Sequence, residues 1–219
     1  MLNTIIFDLD GTLTDPKEGI TRSIIHALDS LQVEVPSEAI LTSFIGPPLH
    51  QSFASLGLNE EQVDDAIRAY RERFIVTGMY ENKVYEGVPQ MLAQLKARGF
   101  KLAVATSKPK PFAVTILKHF ELDQYFDVIA GSNLDGTKTA KADVITLALS
   151  ELGDVIGAVM IGDRKHDIIG AKVHGLTSIG VTFGYGSYEE LEQAGADKIV
   201  SSVAELQQLL LNETDLAIR

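Results

Sequence analysis

The chain has 219 residues, 45% of them hydrophobic, and a formal net charge of −11. That length and apolar content suit one domain with a modest insertion and a sizeable core, while the acidity argues against a nucleic-acid backbone as the main partner. Cysteine is absent, which excludes disulfides and thiol chemistry and is compatible with the cytoplasm; no run approaches the roughly 20 apolar residues that a membrane helix needs.

In chain order, residues 3–8 form a short, mostly apolar run that predicts a buried parallel strand, entered with no basic leader or cleavage-site pattern and hence no visible signal peptide. At its end stand Asp8-Leu9-Asp10-Gly11-Thr12-Leu13-Thr14-Asp15. Two carboxylates two residues apart can reach the same side of the chain, and Gly11 allows a sharp turn. Buried carboxylates are costly unless paired or bound to metal, so this pair suits a divalent cation held beside a carboxylate nucleophile.

From Asp15 to about Val84 the pattern is helical. Asp15-Pro16 starts a helix with Ile20, Ile24, Ala27, Leu28 and Leu31 at helical spacing, and Asn59 caps a second carrying Val63, Ala66, Ile67, Tyr70 and Phe74. Between them Phe44-Ile45-Gly46-Pro47-Pro48-Leu49-His50 reads as a rigid loop. Beyond residue 84 helix and strand alternate. Val88, Met91, Leu92 and Leu95 form an apolar stripe closed by Gly99; strands follow at 101–106, 126–130, 157–161 and 177–182. A helix over 142–151 ends at Gly153, and Ser187-Tyr188-Glu189-Glu190 and Ser202-Val203-Ala204-Glu205 are capping-box patterns. The alternation predicts an α/β fold, a doubly wound parallel sheet whose ligands bind beyond the C-terminal strand ends. Asp8, Thr106 and Asp163 all fall at such ends.

The octet resembles the first motif of the haloacid dehalogenase (HAD) superfamily in its phosphatase form, D-x-D-x-T. Later positions extend the resemblance in the family's order: Thr106 and Ser107 at the end of a strand, Lys141 ahead of a helix, and Gly162-Asp163-Arg164-Lys165-His166-Asp167 for G-D-x-x-x-D. The resemblance implies a Rossmann-like core of residues 1–14 and 85–219 with an all-helical cap at 15–84. It implies a Mg²⁺-dependent phosphomonoesterase of the phosphoglycolate phosphatase-like group, acting on a small phosphate ester without nucleic acid or membrane. Asp8 would be the nucleophile and Asp10 the general acid and base. Thr106 and the Ser107 amide would hold phosphate oxygens, with Thr12 marking the phosphatase form, and Lys141 would offset charge beside Asp8. Asp8, Asp10 (through its carbonyl), Asp163 and Asp167 would hold the metal.

Some assignments stay open in the sequence. Thr106 taken alone reads as a cap of the next turn, and only the other motifs favour a phosphate contact. Lys108 is either a further cation near the site or a solvated side chain. Lys138 competes with Lys141, which stands immediately before the helix. His50, Arg22 and Lys17 are candidate cap contacts for a substrate's anionic end; His166 reads as an exposed helix residue, and Gly184-Tyr185-Gly186 as a loop without assigned chemistry. Against phosphoglycolate stands a nucleoside 5′-monophosphate as substrate, and against catalysis a phosphate-binding regulatory module, which would predict a damaged motif.

Overall fold

The computed structural model describes residues 2–212. In chain order the elements are β1 (Thr4–Phe7), β2 (Thr14–Asp15), α1 (Lys17–Ser30), α2 (Glu38–Ser43), α3 (Leu49–Ala54), α4 (Glu60–Arg73), β3 (Lys83–Val84), α5 (Val88–Ala97) and β4 (Lys101–Pro109). They continue with α6 (Lys110–His119), β5 (Val128–Ser132), α7 (Lys141–Leu152), β6 (Ala158–Gly162), α8 (Lys165–Val173), β7 (Thr177–Val181), α9 (Tyr188–Ala194), β8 (Lys198–Val200) and α10 (Val203–Leu211). The chain divides into two compact units, Met1–Thr14 with Val84–Arg219, and Asp15–Lys83.

The first unit is an α/β fold around a six-stranded sheet of order β5-β4-β1-β6-β7-β8, parallel throughout. Both faces are covered, so β1 and β6 are buried at every position instead of alternating. One face gathers Ile6, Ala103, Ala105, Ala130, Met160, Val144, Ile145 and Ala171 into a cluster of sheet, α7 and α8 side chains. From β1 the chain crosses to β4 and β5 on one side and later to β6, β7 and β8 on the other. The reversal puts the C-terminal end of β1 in the crevice where such sheets bind ligands.

The strand over 198–200 escaped the sequence reading, and β4 runs three residues beyond 106. β8 is short, partly exposed and lies at the sheet edge, so it lacks the apolar run that marks buried strands. The extension of β4 is irregular. Thr106 faces Gly131 and Pro109 faces Ser132, so Ser107 and Lys108 bulge out of the ladder. Ser187 and Ser202 do cap α9 and α10, accepting from the amides of Glu190 (3.1 Å) and Glu205 (3.2 Å).

The second unit is built on α1 and α4, which pack together through Ile20, Ile24, Ala27 and Leu28 on one helix and Val63, Ala66 and Tyr70 on the other. Asn59 caps α4 with a full capping box, its Oδ1 accepting from Gln62 N and its amide donating to Gln62 Oε1. After Arg73 the helix continues as a π-helical turn, Phe74–Gly78. The Gly-Pro-Pro loop is shorter than its sequence suggests, since α3 starts at Leu49 and takes in His50.

Candidate active site

The ends of β1, β4 and β6, with the first turns of α7 and α8, bring most of the predicted residues together in the first unit. Asp8 follows β1 directly, its amide bonded to Ile161 O of β6 (2.9 Å). Leu9 O then accepts from the amides of Thr12, Leu13 and Thr14, closing a tight turn. Gly11 sits in that turn at φ 82°, and a Cβ there would overlap the Asp163 carboxylate. Thr12 is buried and its hydroxyl reaches Asp163 Oδ1 at 3.4 Å.

Lys141, the first residue of α7, is the cation at the centre. Its Nζ lies 2.7 Å from Asp8 Oδ1 and 2.8 Å from Asp167 Oδ1, and donates to Ala105 O at 3.1 Å. Burial works against its charge, but Asp167 and Asp8 outweigh it and raise its affinity for the proton. The competitor Lys138 is exposed, whereas Lys141 is buried beside Asp8.

Lys108 is turned inward by the β4 bulge. Its Nζ lies 2.7 Å from Asp10 Oδ2, and only 7% of the lysine side chain and 11% of the aspartate are exposed, which rules out the solvated alternative. Asp10 Oδ1 is buried without a hydrogen-bond partner. Burial pushes the Asp10 carboxyl above its ordinary value, against the pull of Lys108. Thr106 is buried, and its hydroxyl accepts from Lys108 N (3.2 Å), so it caps the bulge it belongs to. Ser107 is held through its carbonyl by the Ser132 hydroxyl at 2.8 Å.

The turn after β6 carries the remaining acids. Asp163 and Asp167 are fully buried, and with Asp8 they bring carboxylate oxygens within 4.8 Å of one another. Burial lifts Asp163 well above the ordinary carboxylate value, with Asp167 and Asp8 adding to the rise. Burial likewise raises Asp167 to about 6, opposed by Lys141. One lysine against these three carboxylates leaves a deficit of positive charge, because Lys108 is already matched by Asp10. Hard oxygen donors, buried and undercompensated, fit a divalent cation such as Mg²⁺. The carboxylate of Asp10 is not in this cluster. His166 is half-buried, not exposed as the sequence suggested, and burial followed by the charges of Arg164 and Lys165 disfavours its protonation.

The sequence assigned no chemistry to Gly184-Tyr185-Gly186, yet Tyr185 N donates to Asp163 Oδ2 at 2.8 Å. A Cβ on Gly184 would overlap Gly11 O, so this loop lies against the motif that carries Asp8 and Asp10. Two glycines around an aromatic after a strand were the available signal. In the second unit, His50 is exposed on α3. Arg22 Nη1 lies 2.8 Å from both Glu18 Oε1 and Glu81 Oε1, and Lys17 Nζ lies 2.7 Å from Glu38 Oε1.

Residues 5–181 match the family model described as haloacid dehalogenase-like hydrolase. A 5′-nucleotidase of Pseudomonas aeruginosa is 48% identical over 208 residues, covering 94% of each chain. Tyrosine-protein kinase PtkA of Mycobacterium tuberculosis is 40% identical over 206 residues, 94% of this chain and 70% of that protein. The crystal structure of a predicted phosphatase from Clostridium acetobutylicum superposes with a TM-score of 0.91 at 50% identity, over 96% of this chain and 99% of that one. With the motif residues gathered at the strand ends and the family model spanning most of the core, the chain belongs to the haloacid dehalogenase-like hydrolases.

Proposed function

We propose that this hydrolase is a Mg²⁺-dependent phosphomonoesterase working through an aspartyl-phosphate on Asp8. Asp8 attacks the phosphorus of the ester; the bond to the leaving oxygen breaks as Asp10 gives that oxygen a proton. Water then attacks the phosphoryl group with Asp10 taking its proton, and Asp8 is released. The observation that carries this reading is the division of the carboxylates. Asp8 lies among Asp163, Asp167 and Lys141, while Asp10 stands apart on Lys108 with one buried oxygen unpartnered. A nucleophile needs the first surroundings and a proton carrier the second. Lys141 offsets charge on Asp8 and the phosphoryl group, and Thr106 and the Ser107 amide hold its oxygens. Asp163, Asp167, Asp8 and the Asp10 carbonyl would hold Mg²⁺, which supplies charge neutralisation of the phosphoryl oxygens.

For the substrate, we place nucleoside 5′-monophosphates first, on the strength of the relative named 5′-nucleotidase. This reverses the order reached from the sequence, where phosphoglycolate led; two structures of proteins predicted to be phosphoglycolate phosphatases are 24% and 20% identical and support the fold alone. His50, at the surface of the helical unit, is the candidate contact for the part of a substrate that differs between esters. No described helix is long and apolar enough to cross a membrane, and a cytoplasmic setting is compatible with the lack of cysteine.

The test is phosphate release from a panel of nucleoside monophosphates, phosphoglycolate and pyrophosphate, with Mg²⁺ and with excess chelator. The expected result is kcat/KM highest on a nucleotide and no turnover in chelator. Full activity in chelator would overturn the metal-dependent mechanism, and a preference for phosphoglycolate would restore the earlier ranking. A tyrosine peptide with ATP, included because of the kinase relative, is expected to remain unphosphorylated.

A further inference from the structure

We propose that Glu190, on α9, is a positioning residue that fixes the acid-bearing turn between β6 and α8 in its cation-binding shape. The proposal rests on the reading that Asp163 and Asp167 hold Mg²⁺. Glu190 Oε1 accepts from the backbone N–H of Lys165 (2.9 Å) and from Arg164 Nε–H (3.0 Å). Arg164 N–H in turn donates to Asp167 Oδ2 at 3.0 Å. Glu190 thus holds Arg164, whose amide holds the Asp167 carboxylate.

The contact is not a loose surface pair. Only 23% of the Glu190 side chain and 14% of that of Arg164 are exposed. Its anchor is set from behind, because Ser187 caps α9 by accepting from Glu190 N. The Ser187–Glu190 pattern predicts a capping box in which the acid turns back to its own helix start. Here the carboxylate reaches across to α8 instead. The same stretch supplies the Tyr185 amide to Asp163. One segment after β7 therefore braces both acids of the turn, Asp163 directly and Asp167 through Arg164. A carboxylate that orients a ligand's hydrogen-bond partner acts on metal affinity, whereas an ordinary ion pair acts on stability alone.

The experiment is calorimetric titration of metal-free protein with Mg²⁺, for wild type, Glu190→Ala and Glu190→Gln, alongside kcat at saturating Mg²⁺. Glu190→Ala is expected to weaken Mg²⁺ binding by about tenfold, in line with outer-partner effects on metal sites, with kcat at saturation within about twofold. Glu190→Gln keeps an acceptor oxygen and is expected to retain most of the affinity. Glu190→Asp, one methylene too short to reach both donors, serves if the alanine variant does not fold, and is expected to bind Mg²⁺ as weakly. Equal affinity in wild type and the alanine or aspartate variant would overturn the proposal. Equal weakening in the glutamine and alanine variants would also overturn it, since charge at a distance would then be the cause. If wild type itself binds no Mg²⁺, the metal reading falls and the role of Glu190 falls with it.

Discussion

Asp8 and Asp10 are two residues apart yet have different partners, and that difference decides what each can do. Asp8→Asn is expected to abolish turnover without loss of fold, because the amide is nearly isosteric but a far poorer nucleophile; phosphate release and far-ultraviolet circular dichroism check the two halves. A variant with near-normal turnover would exclude the covalent route. The β4 bulge offers a second test. Ser132→Ala removes the hydroxyl that holds Ser107 O, leaving that carbonyl short of a partner at a cost of about 1–2 kcal/mol. We expect kcat/KM to fall by about tenfold, because displacing a binding group by a fraction of an ångström is costly. Inhibition by inorganic phosphate should weaken in parallel; unchanged inhibition would mean that the bulge keeps its shape unaided. Motif residues were readable because D-x-D and G-D-x-x-x-D carry their chemistry in local spacing. The inward turn of Lys108 was not readable, since it depends on a two-residue mismatch between β4 and β5 that leaves no mark in either strand alone.

At the level of elements, the core strands buried on both faces were legible, as were α5, α7, α9 and α10. By contrast, α6 and α8 were not named although each buries a stripe, Ala113, Ile116 and Leu117 in α6 and Ile168 and Ala171 in α8. The legibility failed at β8, where the sheet edge relaxes the demand for apolar residues. In the helical unit, charge joins what apolar stripes do not. Arg73 places Nη1 2.7 Å from Glu81 Oε2 and Nη2 2.9 Å from Oε1, and also reaches Ser23 Oγ on α1 at 3.2 Å. The Arg73 hydrogen bond, aided by Arg22, holds the Glu81 carboxyl below its ordinary value of 4.5. The unfolded chain therefore takes up the proton first on acidification. The contribution is complete above about pH 4.5 and is lost as pH falls through the depressed value. Glu81→Gln should cost about 1–2 kcal/mol at pH 7 and less at about pH 3, below the unfolded value at which the contribution begins to be lost. Denaturant melts at the two pH values check this; an equal cost at both would place the effect in packing.

Over the whole molecule, folding buries Asp8, Asp163 and Asp167 around one lysine, so the metal-free chain carries a local electrostatic burden. A ligand that relieves it binds the folded state alone. At 100 times its Kd such a ligand adds about 2.7 kcal/mol, and a domain of about this size gains roughly 2–4 °C per kcal/mol. Saturating Mg²⁺ is therefore expected to raise Tm by roughly 5–10 °C, and Asp163→Asn to abolish that rise. A scanning fluorimetry series in Mg²⁺ and chelator measures both. An unchanged Tm in wild type would mean that the three carboxylates are neutralised without a cation.

The glycines beside these acids have a consequence for how such a chain can change. Cβ atoms on Gly11, Gly162 or Gly184 would overlap Asp163, Asp167 or the backbone of Gly11, and every replacement of a glycine adds at least that one carbon. No single genetic step at these positions is conservative. The acid-bearing turns are thus isolated in sequence space, and change in such a chain has to proceed through positions where an added side-chain atom meets no buried carboxylate.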